Sequence, residues 1–329
     1  MSGSASSSGY LVEASHVKKY FPIKTGLLNR VVGQVKAVDD VSFGIRAGET
    51  FGLVGESGCG KSTLARVLLN LKSATDGEIK YAGKNILTAG SRELRSLREE
   101  MQIIFQDPFG SLNPRFLVKD LIGEPLRIHR RMSERELDNR VVELMELVGL
   151  DAERRNRYPH EFSGGQRQRI GIARAIALNP KFIVADEAVS ALDVSVQSQV
   201  LNLMMKLQKE LGLTYLFIAH GLNVVRHISN RVGVMYLGKM VEVGNTEALF
   251  AKPLHPYTSV LLSAIPKPTT AHREERIILQ GDVPSPANPP SGCRFHPRCP
   301  FVQDRCKVEE PQLLSMADER QVACHFPLQ

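Results

Sequence analysis

The chain contains no apolar run near the roughly 18–20 residues that cross a bilayer as a helix. A membrane-spanning helix is therefore not expected. Its first residues, Met1-Ser-Gly-Ser-Ala-Ser-Ser-Ser-Gly9, lack the basic and apolar blocks of a secretory signal. They read as a disordered leader or an expression scar, and the protein is expected in the cytosol or at the cytosolic face of a membrane. The five cysteines include no C-x2-C pair, the usual mark of a zinc ribbon. Nor is there a concentrated basic tract. The net charge is +7, but the densest groups are only Arg127-Ile-His-Arg-Arg131 and Glu153-Arg-Arg-Asn-Arg157. A solvated face explains them, so charge alone does not imply nucleic-acid binding. With 329 residues and 43% hydrophobic content, the chain can form a large domain plus an appendage.

What is present centres on Gly55-Glu56-Ser57-Gly58-Cys59-Gly60-Lys61-Ser62-Thr63, which fits G-x-x-x-x-G-K-[ST]. A short apolar stretch with strand character, Glu49–Val54, precedes it, and Leu64–Asn70 reads as a helix. Strand, glycine loop and helix form the context of a phosphate-binding loop. Glycines let backbone amides close around phosphate oxygens, and the helix N-terminus adds positive potential. In this reading Lys61 reaches the β- and γ-phosphates, the Ser62 hydroxyl holds Mg²⁺, and Thr63 lines the α/β-phosphate side. Cys59 needs only to be small.

The rest of the chain alternates between two patterns. Leu11–Ala14 and Val35–Ile45 alternate apolar and polar residues, as antiparallel hairpin strands do, and Gly77–Gly83 continues the series. Tyr20-Phe21 is expected between these strands, where an aromatic either stacks on an adenine or packs in the β core. Met101–Pro108 reads as a short buried strand with Gln106 at its carboxyl end, where open α/β sheets place ligands. From about Pro125 to Ala177 the pattern is helical. Ser133-Glu-Arg-Glu136 forms a capping box, followed by a stripe of Leu137, Val141, Leu144, Met145 and Val148 that ends at Gly149.

Phe162-Ser163-Gly164-Gly165-Gln166 places two glycines at a helix start, where glycine weakens a helix. It reads either as an ordinary capping box or as a helix N-terminus that a phosphate can approach closely. Phe182–Asp186 is an apolar strand ending in two carboxylates. Asp186 suits Mg²⁺ through water, and Glu187 suits a water attacking the γ-phosphate, although acids at strand ends are common. Ser190–Asp193 is a turn, and Val200, Leu203, Met204, Leu207 and Leu211 set a helix whose methionines are expected in the core. Leu213–Ala219 is a strand ending at His220. Val232–Leu237 and Met240–Val243 form a hairpin.

In this order, Gly55–Thr63, Gln106, Ser163–Gln166, Asp186-Glu187, Asp193 and His220 resemble the ATP-binding cassette of ABC transporters over about residues 10–250. Phe162 stands where leucine is commoner. The resemblance implies a fold and a set of roles. The fold is an α/β P-loop core with an antiparallel β subdomain and a helical insertion at about 107–177. Phe21, or else Tyr20, stacks on adenine. Gln106 contacts Mg²⁺ and the attacking water. Ser163, Gly164, Gly165 and Gln166 meet the γ-phosphate of a partner protomer. Asp193 lies at the dimer seam, and His220 holds the γ-phosphate. Ala188 and Gly221 replace the commoner proline and aspartate, which is expected to loosen the loops around Glu187 and His220.

The tail carries His255-Pro-Tyr-Thr258, Gly281–Pro286 and Gly292-Cys-Arg-Phe-His-Pro-Arg-Cys-Pro300. Residues 251–329 resemble the C-terminal extension of oligopeptide and dipeptide importer ATPases, closest to dipeptide-importer ATPases of the second type. Cys293, Cys299, Cys306 and Cys324 follow a C-x5-C-x6-C-x17-C spacing. Four gathered cysteines in a reducing cytosol point to a metal site rather than disulfides. A [4Fe–4S] cluster, which the resemblance also implies, comes first, zinc second and free thiols third; His296 and His325 are alternative ligands. Such a staple suits an extension poor in apolar periodicity.

The resemblance further implies ATP and Mg²⁺ as ligands and a position on the cytoplasmic side of the cell membrane. It implies a paralogous ATPase partner, two permease subunits and an extracytoplasmic binding protein. Peptides are the expected solute and nickel the next choice. A soluble ABC protein acting on nucleic acid is the alternative class. Against it, translation-type members carry two cassettes per chain, and repair-type members insert long coiled coils before the signature segment.

Overall fold

The computed structural model describes residues 9–26, 29–107, 110–265, 279, 281–316 and 318–329. The expected leader, apart from Gly9, lies outside the described residues, as does Pro108. In chain order the elements begin with strands β1 (Tyr10–Thr25), β2 (Arg30–Arg46) and β3 (Thr50–Val54), helix α1 (Lys61–Leu68), then β4 (Asp76–Tyr81) and β5 (Lys84–Asn85). Next come α2 (Ser91–Glu100), β6 (Met101–Ile104), α3 (Val118–His129), α4 (Glu134–Leu147), α5 (Gly164–Ile176), β7 (Phe182–Asp186), α6 (Val194–Leu211) and β8 (Thr214–Ile218). They are followed by α7 (Leu222–Ile228), β9 (Arg231–Tyr236), β10 (Lys239–Asn245), α8 (Thr246–Ala251) and α9 (Pro256–Ser263). The chain closes with α10 (Asp304–Val308), β11 (Leu314–Ser315) and β12 (Gln321–Val322). The chain divides into two compact units, residues 1–88 with 220–329, and residues 89–219.

The first unit contains an antiparallel sheet in the order β2-β1-β4-β5. β1 and β2 pair along their whole length, from Tyr10 opposite Arg46 to Thr25 opposite Arg30. Tyr20 and Phe21 lie inside β1 rather than between strands. Register shifts around Val17, Lys19 and Tyr20 break the apolar alternation while the strand continues, so the pattern looked interrupted. A second set of strands runs β11-β12-β10-β9-β3. β3 is buried at every residue and lies parallel to β9, with Val54 opposite Val234. The expected hairpin of β9 and β10 is present, and β12 extends β10 at Glu242 and Val243.

In the second unit β6, β7 and β8 form a parallel array, with Ile104 opposite Ala185 and Asp186 opposite Ile218. β7 and β8 are buried throughout, which is why they read as unbroken apolar runs. The helical stretch starts earlier than expected. α3 begins at Val118 and continues through Pro125, with Val118, Leu121, Ile122 and Leu126 buried. The capping box at Ser133 and Glu136 forms in full, and the expected stripe of α4 is buried. Gly149 follows at φ +69°, in the left-handed region that suits a helix C-terminus. On α6, Val200, Leu201, Met204 and Leu207 are buried, whereas Leu211 is exposed. The apolar stripe fades before the last turn, because the helix end projects into solvent. No helix among the described residues is long and apolar enough to cross a membrane.

Candidate functional site

β3 delivers the chain into the glycine loop. Gly55, Gly58 and Gly60 all have positive φ, at 154°, 77° and 107°. Two of them are also held by sterics. A β-carbon on Gly55 would meet the Met235 carbonyl oxygen at 2.1 Å, and one on Gly60 would meet that of Ala37 at 2.0 Å. The loop therefore sits tight against backbone that no side chain at these positions could clear. α1 then starts at Lys61 with no side-chain cap.

Lys61 is almost fully buried. Its ammonium donates to the carbonyl oxygens of Gly55 at 2.8 Å and Glu56 at 3.0 Å, with the Cys59 sulfur at 3.7 Å. Burial pushes the Cys59 thiol upward in pKa, against the pull of Lys61, so it stays neutral. Ser57 and Gly58 are exposed, while Ser62 and Thr63 are half-buried. This is a preorganised anion cradle.

Near it in sequence terms, β1 carries the two aromatics. The Tyr20 hydroxyl donates to Asp39, and burial and that carboxylate push its pKa up. The ammonium groups of Lys72 and Lys19 approach the Phe21 ring, at 4.9 and 5.2 Å from its centre. Phe21 thus keeps a partly exposed ring with no polar group to satisfy, while Tyr20 is tied into the β core. His220 follows β8 by two residues and is exposed.

The second unit gathers the other expected residues. Gln106 follows β6, and Asp186 ends the neighbouring strand β7, so both lie at the carboxyl edge of the parallel array. Gln106 is exposed; Asp186 and Glu187 are buried. Glu187 has φ +53°, uncommon for a residue with a side chain. Its amide donates to the Ile218 carbonyl at 3.0 Å, which fixes this turn to β8. Strain held at a buried carboxylate is a frequent companion of function. Ala188 is buried, and Gly221 starts α7 at negative φ without a side-chain cap.

Ser163 and Gln166 make the reciprocal capping box, with Ser163 exposed at its apex. Gly165 has a second constraint, since a β-carbon there would come within 2.4 Å of Val196 Cγ1. Phe162 is buried beneath the Arg154 guanidinium, 4.4 Å from the ring centre. Asp193 is exposed immediately before α6.

The tail belongs to the first unit. Tyr236, Tyr257, His255 and Phe295 form one buried ring cluster, with Tyr236 and Tyr257 4.7 Å apart. Burial holds His255 neutral, with its pKa down to about 3, and its Nδ1 accepts the Tyr257 amide. Three arginines each clasp a carboxylate: Arg294 with Asp39, Arg298 with Glu56, and Arg320 with the fully buried Glu242. Sequence reading missed these pairs, whose members lie 255, 242 and 78 residues apart.

Cys293, Cys299, Cys306 and Cys324 line one small cavity of about 10 Å³ together with His255, His296 and His325. Burial pushes Cys293, Cys299 and Cys324 up to about 11, and the neighbouring cysteines add to the shift. His296 Nδ1 and His325 Nε2 each engage a backbone carbonyl, of Cys293 and Glu309. Among the described residues no three His, Cys, Asp or Glu side chains are arranged to hold a single metal ion.

A strand, a glycine loop of left-handed turns and an uncapped helix with a buried lysine at its start define a P-loop nucleotide-binding protein. Comparison with known proteins narrows this. Residues 38–190 match the ABC transporter family, and residues 241–306 match the oligopeptide/dipeptide transporter C-terminal region. The chain is 54% identical to the oligopeptide transport ATP-binding protein AppF of Bacillus subtilis, over 96% of this chain and 97% of that protein. It is 49% identical to the dipeptide transport ATP-binding protein DppF of Escherichia coli, over 95% and 93%. Among solved structures, the post-hydrolysis dimer of the ATP-binding cassette MJ0796 with ADP and Pi is similar at a TM-score of 0.64. Its identity is 29%, over 71% of this chain and 98% of that one. The chain belongs to the ABC transporter ATP-binding proteins, in the branch that carries the oligopeptide/dipeptide transporter C-terminal region.

Proposed function

We propose that this protein hydrolyses ATP to drive import of di- or oligopeptides from the cytoplasmic side of a membrane. The carrying observation is that one chain joins a formed phosphate loop to the C-terminal region of peptide transporters, at about half identity to peptide-transport ATP-binding proteins along nearly its whole length. Its partners are a paralogous ATPase, two permease chains and an external binding protein, which selects the solute. Nucleic acid is not a partner.

The residue roles follow the chemistry of each group. Gly55–Thr63 supply amides and the Lys61 ammonium to the phosphates, and Phe21 offers the adenine its partly exposed ring. Ser62 and Gln106 would contact Mg²⁺, Gln106 also the attacking water, and Asp186 would serve the ion through water. Water attacks the γ-phosphorus in line, its proton passes to Glu187, and ADP leaves. His220 steadies the γ-phosphate. Ser163, Gly164, Gly165 and Gln166 are offered to the nucleotide of the partner subunit, with Asp193 at the seam. ATP thereby closes two cassettes, and hydrolysis removes the charge that holds them shut.

The four cysteines are assigned to a [4Fe–4S] cluster. Such a cluster takes one cysteine thiolate for each of its four irons, whereas zinc ribbons usually show C-x2-C pairs, which this chain lacks. Four cysteines lining one cavity supply the number of thiolates that such a cluster takes.

The test is purification in mild detergent from cells expressing the neighbouring genes. Recovery with two hydrophobic permease chains, and ATP hydrolysis stimulated by peptide-loaded binding protein, supports the assignment. Recovery with nucleic acid and no permease overturns it.

A further inference from the structure

Glu56 is the second residue of the phosphate loop, and each of its polar groups is engaged. Its carbonyl accepts from the Lys61 ammonium at 3.0 Å. Its amide donates to the Tyr257 hydroxyl at 2.9 Å. Its carboxylate accepts two bonds from Arg298, at 2.8 and 3.1 Å. Two of these three partners come from the C-terminal region, about 200 residues or more further along the chain. The arginine is nearly buried, its side chain 8% exposed, and it also reaches the Tyr236 hydroxyl at 3.4 Å. A two-pronged guanidinium–carboxylate pair of this kind fixes geometry as well as charge.

The charge has a consequence. A glutamate inside a loop that cradles phosphates places a negative group where a polyanion must bind. Unpaired, it repels the ligand; paired with Arg298, its field is largely cancelled. The same pair anchors the loop backbone at the residue whose carbonyl holds Lys61. Arg298 also directly precedes Cys299 of the cysteine cavity.

We propose that Arg298 is a positioning residue of the nucleotide site: by neutralising and fixing Glu56 it makes the C-terminal extension part of the phosphate loop. This rests on the ATP-site reading above. The extension is then no passive appendage, and a change that displaces Arg298 lowers affinity for ATP without touching a group that contacts the reacting atoms.

The experiment measures binding of a fluorescent ATP analogue to the full chain and to Arg298→Gln, Arg298→Lys and the double variant Glu56→Gln/Arg298→Gln, with Lys61→Ala as reference. Arg298→Gln should raise Kd about tenfold at low salt, and the deficit should shrink at high salt. Arg298→Lys should fall between it and the parent. The double variant, which removes the orphaned carboxylate, should return to within about threefold of the parent. In turnover, KM should rise while kcat changes little. A merely structural arginine predicts a double variant at least as weak as the single one and no salt dependence. That result, or parental affinity in Arg298→Gln, overturns the proposal. If Arg298→Gln does not fold, the lysine and double variants carry the same comparison. Loss of binding in Lys61→Ala alone would keep the ATP site and reject only this inference. Parental binding in Lys61→Ala would reject the site itself.

Discussion

A β-carbon placed on Gly60 would stand 2.0 Å from the carbonyl oxygen of Ala37, far inside contact distance. Ala37 belongs to β2, so the loop and the β subdomain fix one another. Gly60→Ala is expected to cost about 1–3 kcal/mol in stability, from strain at φ +107° and from the clash. It should also abolish nucleotide binding. Urea unfolding and an ATP-binding titration check both. Unchanged binding would mean that the loop tolerates distortion and does not set the phosphate geometry.

Gly165 has two competing explanations, packing against Val196 and close approach by a phosphate. Gly165→Ala is expected to destabilise the protein. Gly165→Ala/Val196→Ala removes the clashing methyl and should recover the melting temperature. Turnover in the assembled transporter should stay low if the glycine serves the partner's nucleotide. Full recovery of turnover would leave packing as the whole reason for the glycine.

Glu187 is buried and at positive φ, tied through its amide to β8. Glu187→Gln preserves shape and removes the carboxylate. ATP binding should persist, while turnover falls by about two to four orders of magnitude. A phosphate-release assay reads the second and equilibrium binding the first. Near-parental turnover would dismiss Glu187 as the base.

Protein purified without oxygen should be brown and contain about four iron atoms per chain, as one thiolate for each iron of a four-iron cluster implies. Cys299→Ser should bleach it. Colourless protein with one zinc per chain would reverse the metal assignment.

The periodicity of the chain revealed those elements that bury one face or both. β3, β7, β8 and the stripe of α4 were legible because their apolar residues all enter a core. α2 was not, since none of its ten residues is buried and its apolar face is only Leu94 and Leu97, both half-buried. The start of α3 was obscured by Pro125, which sequence reading takes as a boundary, although the buried face of the helix carries it through. Leu211 continues the leucine repeat of α6 yet is exposed, because such a repeat does not reveal where a helix leaves its neighbours.

The candidate site was legible to a different degree. Gly55–Thr63 is local, and its spacing alone specifies a backbone shape. That the Tyr20 hydroxyl donates to Asp39 left no local mark in the sequence. The Arg298–Glu56 pair left no local trace, since neither residue is unusual where it stands in the sequence. The spacing of the cysteines did not reveal that an aromatic core and three arginine–carboxylate pairs also hold the extension.

The account depends most on ATP joining two cassettes, with the Ser163 segment of one sealing the nucleotide of the other. The direct measurement is the solution mass of Glu187→Gln mixed with its paralogous partner cassette, with and without Mg·ATP. The mass should correspond to separate chains without nucleotide and to a pair with it, and Ser163→Arg should prevent the pairing. Chains that remain separate at saturating ATP, or that pair equally well with Ser163→Arg, would contradict the account.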